Sequence, residues 1–468
     1  MKQTLIQNKI RQQLNKGNAI TSEMIAELIK DHADMSKRTL GLYERYCVEE
    51  HAVPIFNREF TDSGNKINNK MNNDFFKEII DTKLGYIIGK PVVYNIDKNA
   101  YESDEKYKEH YGIISKIALK NNFTDIDAEL VKLVSICGHA GREIFVDVNG
   151  DIRVMNLKAW ETIFLVSPLG EVEYALRYYK DFNDDGEEIT RVEFFNDSSV
   201  IYFEGAEDAY TMVEEKDHLF GTCPIVLAVN NEECLGDCDN IIPLIDAYDR
   251  TLSDISSEIE QFRLAYMYFK GQEPTAEVIE SAKQTGGFYV GENGEVGFIT
   301  KQINDTIVEN HLNRLETNIL RFGKSVNFTG DDFSGTITGV GMEHKLSALE
   351  QKSSVMVTKL TTALRNQFRI IGNVLNLSNI DLDYLDVFFE FKRNIPINKQ
   401  AEMQANALMV GLVSERTRLS NLSSIGVDDA EYELELMKKE KEELMDSYIG
   451  YGTNTNINPE DNLGIENE

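Results

Sequence analysis

DNIIPLIDAYDRTLSDISSEIEQFRLAYMYFK, residues Asp239–Lys270, decides the fold. Ile241, Ile245, Tyr248, Leu252, Ile255, Ile259, Phe262, Tyr266 and Phe269 recur in steps that alternate four and three. This heptad-like seam predicts one helix with a face committed to packing against other helices. Pro243 falls in its first turn, where a missing N–H costs nothing. At 1.5 Å rise per residue such a helix runs roughly 45 Å. A small-molecule pocket does not need that length; a wall or stalk built from several subunits does.

Downstream, Gly271 to Gln302 reads as an insert with a short helix after Pro274 and a hairpin, Phe288 to Thr300, turned at Asn293-Gly294. A second helix is expected over Asp305 to Phe322, with Val308, Leu312, Leu315, Ile319 and Phe322 on one face. NFTGDDFSGTITGVGM follows, and its four glycines give it backbone freedom. The next expected helix runs from Met342 to about Asn373, with Met342, Leu346, Leu349, Met356, Leu360, Ala363 and Ile371 as its apolar stripe. Lys345, Lys352 and Lys359 share one face of it, but Glu343 and Glu350 repeat at the same interval. The lysines therefore read either as a surface toward DNA or as part of an ion-pair lattice with neighbouring helices. DVFFEF is a return strand, and helices from Lys399 to Tyr448 end in a polar, uncapped tail.

Upstream, the first fifty residues read as short amphipathic helices, one capped at Thr21 or Ser22, the next with Leu40, Tyr43 and Cys47 on its apolar face. Phe75, Phe76, Ile79, Ile80, Leu84, Ile87 and Ile88 mark a helix stopped at Gly89, before a strand opened by Pro91. From about Ala118 to Val229 the period shifts toward two. FVDVNGDIRVM is a hairpin turned at Asn149-Gly150, and YALRYYKDFNDDGEEITRVEFF another, turned near Asp185-Gly186. The fold class is α+β with a largely antiparallel sheet.

The chain has 468 residues, enough for several subdomains, and 42% hydrophobic content, too much for general disorder. With 48 Lys+Arg against 79 Asp+Glu, the net charge is −31. Tight nucleic-acid binding is not expected of such a chain, because phosphate affinity comes from Lys and Arg. Cys47, Cys137, Cys223, Cys234 and Cys238 offer one C-x3-C and no second pair, so they read as reduced thiols, not a zinc site. MKQTLIQNKIRQQ has no apolar core of a secretory signal, and no apolar run is long enough to span a bilayer. Assembly in the cytoplasm is the expectation.

Motifs for chemistry are weak. GYIIGKP has three residues between its glycines where a phosphate-binding loop needs four, and Pro91 follows Lys90. Gly323-Lys324-Ser325 lacks the first glycine. Asp181-x-Asn183-x-Asp185-Gly186 copies half of a calcium loop, but position twelve is Val192 and the flanks read as strands. An acidic hairpin turn fits better. No nucleophile–base pattern emerges, so no enzyme activity and no cofactor are expected.

INNKMNNDFFKEIIDTKLGYIIGKPVVY (Ile67 to Tyr94), VNNEECLGDCDNIIPLIDAYDRTLSD, DDFSGTITGVGMEHKLSALEQKS (Asp331 to Ser353) and FKRNIP (Phe391 to Pro396) together resemble the portal proteins of tailed bacteriophages, in the family typical of phages with Gram-positive hosts. The resemblance implies a portal fold: amino-terminal helices and wing over 1–238, a stem helix over 239–270, a clip over 271–303, a second stem helix over 304–326, a tunnel loop over 327–341, a tunnel helix over 342–374, a wing return strand over 375–396, a helical crown over 397–448 and a disordered tail over 449–468. It implies a dodecameric ring at one capsid vertex, through which a terminase ATPase drives double-stranded DNA without sequence preference. It also implies contacts with a head–tail adaptor, the major capsid protein and scaffolding, and a place in the virion. On this reading Asp331, Asp332, Ser334, Thr336 and Thr338 face the DNA, Lys345, Lys352 and Lys359 line the tunnel helix, and Phe288, Tyr289, Asn293 and Phe298 dock the motor and adaptor. Two alternatives stay open: another ring component of the virion, from tail or baseplate, and a calcium-dependent enzyme using Asp181, Asn183 and Asp185.

Overall fold

The computed structural model describes residues 2–59, 67–183, 185–206, 209–262, 266–270, 275–285, 294–299, 305–328, 339–395, 399–422, 427 and 430–452. They fall into two units, residues 1–394 and 395–468. The first opens with α1 (Leu5–Leu14), α2 (Ser22–Tyr46), α3 (Phe75–Ile88), β1 (Val93–Ile96), α4 (Asp104–Lys120) and α5 (Phe123–Cys137). A sheet region follows: β2 (His139–Val146), β3 (Ile152–Leu157), β4 (Thr162–Val166), β5 (Val172–Phe182), β6 (Glu188–Phe195), β7 (Ser199–Ala206), β8 (Ala209–Asp217) and β9 (Ile225–Val229). Then come α6 (Ile242–Phe262), β10 (Tyr266–Lys270), α7 (Ala276–Thr285), β11 (Glu295–Ile299), α8 (Asp305–Gly323), α9 (Gly339–Leu377) and β12 (Val387–Glu390). The fold is α+β. No helix among the described residues is long and apolar enough to cross a membrane.

Strands β4 to β8 form an antiparallel meander, and β3-β2-β9 a second antiparallel sheet. The meander is covered on one face by the first two helices. Ile10, Leu14, Ile25 and Leu28 pack on Ile163, Leu165, Leu176, Val192 and Phe194. Alternate residues of β4 point the other way, so Phe164 and Val166 pack with Leu157, Phe195, Cys223 and Ile225. A strand buried on both faces loses the polar alternation, which is why TIFLV carries so strong an apolar run. Both expected hairpins form, with Val146 opposite Ile152 and Phe182 opposite Glu188. The Asn183 side chain accepts from the amides of Asp185 (3.1 Å) and Glu187 (2.8 Å), Gly186 takes φ 79°, and Asp181 pairs with Arg191 at 2.9 Å. These groups build an acidic hairpin turn between strands, as an Asx residue does.

Several expectations need correction. The period-two stretch does not begin at Ala118, because Phe123–Cys137 is a helix ended by Gly138 at φ 85°. The second helix is one 25-residue element capped by Thr21, and its buried residues include Thr39, Leu42 and Arg45, whereas Cys47 is exposed. The helix of the deciding stretch stops at Phe262. Tyr266 and Phe269 lie in a strand instead, with Tyr266 opposite Ile299 and Lys270 opposite Glu295. YMYFK is aromatic and β-prone, and its three-residue spacing mimics a helical repeat by chance. The Asn293-Gly294 hairpin rests partly on residues 286–293, outside those described; the described strand after it pairs back across the whole insert. The third long helix begins at Gly339, so the last residues of the expected glycine loop are its first turn. Phe322 of α8 is exposed, and the face continues through Gly323, where an added Cβ would sit 3.1 Å from both Ile241 Cδ1 and Ile79 Cδ1.

The second unit, taken by itself, holds α10 (Lys399–Leu408), α11 (Glu415–Ser420) and α12 (Ala430–Gly452). Ser414 caps α11, and Asn406 donates to the carbonyl of Arg418 at 2.7 Å. Helix therefore runs a few residues into the expected tail, whose remainder, 453–468, lies outside the described residues.

Candidate functional site

The region that gathers the chain's distant motifs is the anchorage of α9. Of its expected apolar stripe, Leu346, Leu349, Met356, Leu360, Ala363 and Ile371 are buried and Met342 is part-buried, and Phe368 is buried with them. Two charged positions only two residues apart, Glu350 and Lys352, project from different sides of the helix and tie it to opposite neighbours.

Lys352 does not reach outward. Its Nζ donates to the carbonyls of Asp237 (3.0 Å) and Gly323 (2.8 Å) and lies 3.3 Å from Asp237 Oδ1. A cation at the carbonyl end of α8 is favourable with respect to the helix dipole. Asp237 Oδ1 also accepts from Lys83 Nζ at 2.9 Å, and Lys83 donates to Asn230 Oδ1 at 2.8 Å. Asn230 in turn donates to Asp237 Oδ1 (3.0 Å) and to the Leu235 carbonyl (2.9 Å). Burial by itself would push the Asp237 carboxyl up, but the two ammonium groups hold it below the ordinary range, so it stays ionised. A loop carries Asp237 into this position because two glycines let it approach the end of α5. A Cβ on Gly236 would lie 2.3 Å from the Ile136 carbonyl oxygen, and one on Gly138 2.1 Å from that of Cys234. Asp237 N–H then donates to Ser135 O at 2.8 Å. A cavity of about 310 Å3 opens beside this cluster, lined by Asp237, Lys352, Phe322 and Val355 among others.

Glu350 makes the second tie. Arg393 clamps it in a bidentate pair, Nε at 2.8 Å and Nη2 at 2.9 Å, while Tyr86 Oη and Ser354 Oγ donate at 2.7 and 2.6 Å. The hydrogen bonds from Arg393, helped by Ser354 and Tyr86 and opposed by burial, hold its carboxyl down at about 2. Beside it, Asn394 N–H donates to Tyr86 O at 3.0 Å, and at Gly89 a Cβ would meet the Gly85 carbonyl oxygen at 2.3 Å and Asn394 Nδ2 at 2.5 Å.

A third arrangement fixes α6. The extended segment 69–73 lies antiparallel to it: Asn69 N–H donates to Ser257 Oγ (3.0 Å), Met71 N–H to Ser253 Oγ (2.9 Å) and Asn73 N–H to Asp249 Oδ1 (3.0 Å). Two extended residues advance about as far as four helical ones, so alternate amides meet successive turns. The buried stripe of α6 thus runs from Ile245 through Asp249, Ser253 and Ser257, while Tyr248, Leu252 and Ile255 of the apolar seam are only part-buried and Ile259 is 57% exposed.

Lys352 and Lys359, expected along a tunnel helix, behave as members of an ion-pair lattice. Lys359 pairs with Glu232 of the loop before α6. Lys345 lies on the first turns of α9, half-buried. Asp331, Asp332, Ser334, Thr336 and Thr338 lie outside the described residues, as do Phe288, Tyr289 and Asn293. Phe298 is in β11, opposite Met267. Lys83 and Tyr86 were not singled out from the sequence; Asn230, Asp237 and Arg393 entered only within stretches resembling the family, and Glu350 only for its spacing from Glu343, none of them as a member of a buried cluster. Lys83 gave a signal: it continues the buried face of Ile79, Ile80 and Ile87 in α3, and a lysine on an apolar face requires a buried partner. Among the described residues, no group of three His, Cys, Asp or Glu is placed to hold a metal ion.

Lys83, Tyr86, Asn230, Asp237, Glu350, Lys352 and Arg393 all fall in the stretches that carried the family resemblance. A family model described as "Phage portal protein, SPP1 Gp6-like" matches residues 25–446. The portal protein of Bacillus phage SPP1 is 25% identical over 378 residues, covering 75% of this chain and 72% of that relative. The portal protein of Clostridium phage phiCD119 is 24% identical over 425 residues, covering 85% and 90%.

Proposed function

From the premise that the chain belongs to the phage portal family of the SPP1 Gp6 type, we infer how its parts serve a portal ring. As a member of that family it is a structural virion component, a capsid-associated oligomer that forms the portal ring for genome packaging. The observation that carries this is the reach of the family match, residues 25–446, across every motif assembled around α9.

The finer reading is a dodecamer, assembled in the host cytoplasm and docked by terminase and later by a head–tail adaptor at the 271–303 insert. Major capsid and scaffolding proteins surround it. In this reading the half-open apolar seam of α6 packs against neighbouring copies. The 327–338 segment lines the narrowest part of the channel, and Asp331 and Asp332 repel phosphate so that the duplex slides without being gripped. The two ties on α9 keep the support of that segment stiff. The protein contributes no catalysis; the motor's ATPase drives the DNA.

Asp331→Lys with Asp332→Lys tests the channel assignment. Each new cation facing DNA adds salt-dependent affinity. Packaged, nuclease-protected DNA should fall at low salt and partly recover as salt rises, with rings still formed. Normal packaging by the double variant at every salt concentration would remove this segment from the channel.

A further inference from the structure

We propose that the tyrosine surface made by Tyr101, Tyr107 and Tyr111, with the adjoining turn that carries Leu385, is a docking site for a Lys- and Arg-rich segment of another protein. The rings form one ordered platform. Tyr101 stands edge-on to Tyr107 (centroids 6.0 Å, 70°) and to His110 (5.3 Å, 88°), and Tyr107 stacks on Tyr111 at 6.1 Å and 20°. Tyr101 Oη and His110 Nδ1, 3.0 Å apart, lock the centre of the set. A preformed aromatic surface loses little side-chain entropy on binding. Tyr111 is 39% exposed and Leu385, in the turn Tyr384–Asp386, is 64% exposed. The two segments are joined where Asp97 N–H donates to Asp386 O at 2.9 Å. Asp381, Asp383 and Asp386 all lie near enough to raise the Tyr101 phenol, after burial as the main cause.

The charges decide the occupant. Residues 97–111 and 381–386 hold eight carboxylates against three lysines. The chain already places a cation on the platform: Lys98 Nζ lies 5.9 Å from the Tyr107 ring centroid and 3.3 Å from Asp104. A nucleic acid would be repelled here. A second copy presenting this same surface is disfavoured too, since its carboxylates would face like charges. A segment alternating basic and apolar residues matches both the carboxylate rim and the exposed Leu385 and Tyr111. The inference rests on this surface alone and does not depend on ring formation.

The test uses the full-length protein and a fluorescein-labelled peptide of alternating Arg and Leu, followed by anisotropy at physiological salt. Binding is expected in the range of about 10–100 μM. Asp381→Asn with Asp383→Asn should weaken it about five- to ten-fold, and Tyr111→Ser with Leu385→Ser by a similar factor. Glu435→Gln with Glu440→Gln, which removes the same charge from exposed positions of α12, should change it less than two-fold. A peptide with Ser in place of Leu should bind at least five-fold more weakly. Equal losses from the two charge pairs, equal binding of the Ser peptide, or no binding of the Arg–Leu peptide up to about 1 mM would each overturn the proposal. So would a change in self-association, with no change in peptide binding, on mutating Tyr111 and Leu385.

Discussion

Helices α6 and α9 meet at the same junction and are held in opposite ways. Along α9, buried Leu, Met, Phe and Ile run nearly its whole length, and the charged ties at Glu350 and Lys352 fix its rotation. On α6 the most buried stripe turns polar after Ile245, clasped by backbone amides of 69–73, and the apolar seam beyond is left part-open. Each fully buried large apolar side chain contributes roughly 1.5–3 kcal/mol, whereas a hydrogen bond nets about 1 kcal/mol and chiefly sets register. The difference teaches that α9 belongs to the core of one subunit. Helix α6 is positioned within the subunit but leaves part of its apolar seam exposed, the surface the proposed function gives to neighbouring copies.

The most severe way to break this contrast is at the shared charge cluster. Asp237→Ala removes the carboxylate partner of the buried Lys83 ammonium and weakens the anchorage of the part-buried Lys352, and should cost about 3–5 kcal/mol in urea unfolding, enough to prevent folding in a marginal background. Lys352→Met leaves Asp237 with Lys83 and should cost less, about 1–3 kcal/mol. If the two variants unfold at the same urea concentration, the cluster is not organised around Asp237.

The contrast sharpens with matched truncations. Phe368→Ala in α9 should lower subunit stability by about 3–5 kcal/mol. Ile259→Ala in α6 should lower it by less than about 0.5 kcal/mol while weakening ring formation, seen as more unassembled subunit in sedimentation. Equal stability losses would place the α6 seam in the subunit core after all. Between these falls the clasp. Asp249→Ala removes the acceptor of both Asn73 donors and should cost about 1–3 kcal/mol, with faster amide exchange at Asn73 and little change at Met71, whose acceptor is Ser253.

The smallest effect concerns pH. The Glu350 carboxyl is depressed in the folded state, so its contribution is fully present above the ordinary carboxylate range and is lost as pH falls toward about 2. The stability gap between the natural protein and Glu350→Gln should be constant above pH 5 and close as the solution is acidified. A gap that widens on acidification would mean that the Arg393 pairing does not hold the carboxylate.

Much of this was legible in the sequence. The hairpins followed from Asn149-Gly150 and Asp185-Gly186, and the α8 and α9 stripes from their 3.6 period, because turn chemistry and periodicity are local signals. The end of α6 was not legible, since the aromatic spacing of Tyr266 and Phe269 satisfies helix and strand alike and only pairing with β11 decides. The ties on α9 were largely hidden for a different reason. Lys352 shares the seven-residue spacing of Lys345 and Lys359, and only Asp237, more than a hundred positions away, turns it inward. Sequence distance conceals such partners, although the lysine on the apolar face of α3 betrayed half of the cluster.

The ring itself is tested most directly by electron microscopy of the purified full-length protein. End-on class averages should show closed rings with an axial hole wide enough to pass a DNA duplex, and the Ile259→Ala variant should show fewer of them. Averages containing only single subunits, or closed assemblies with no axial hole, would contradict the account.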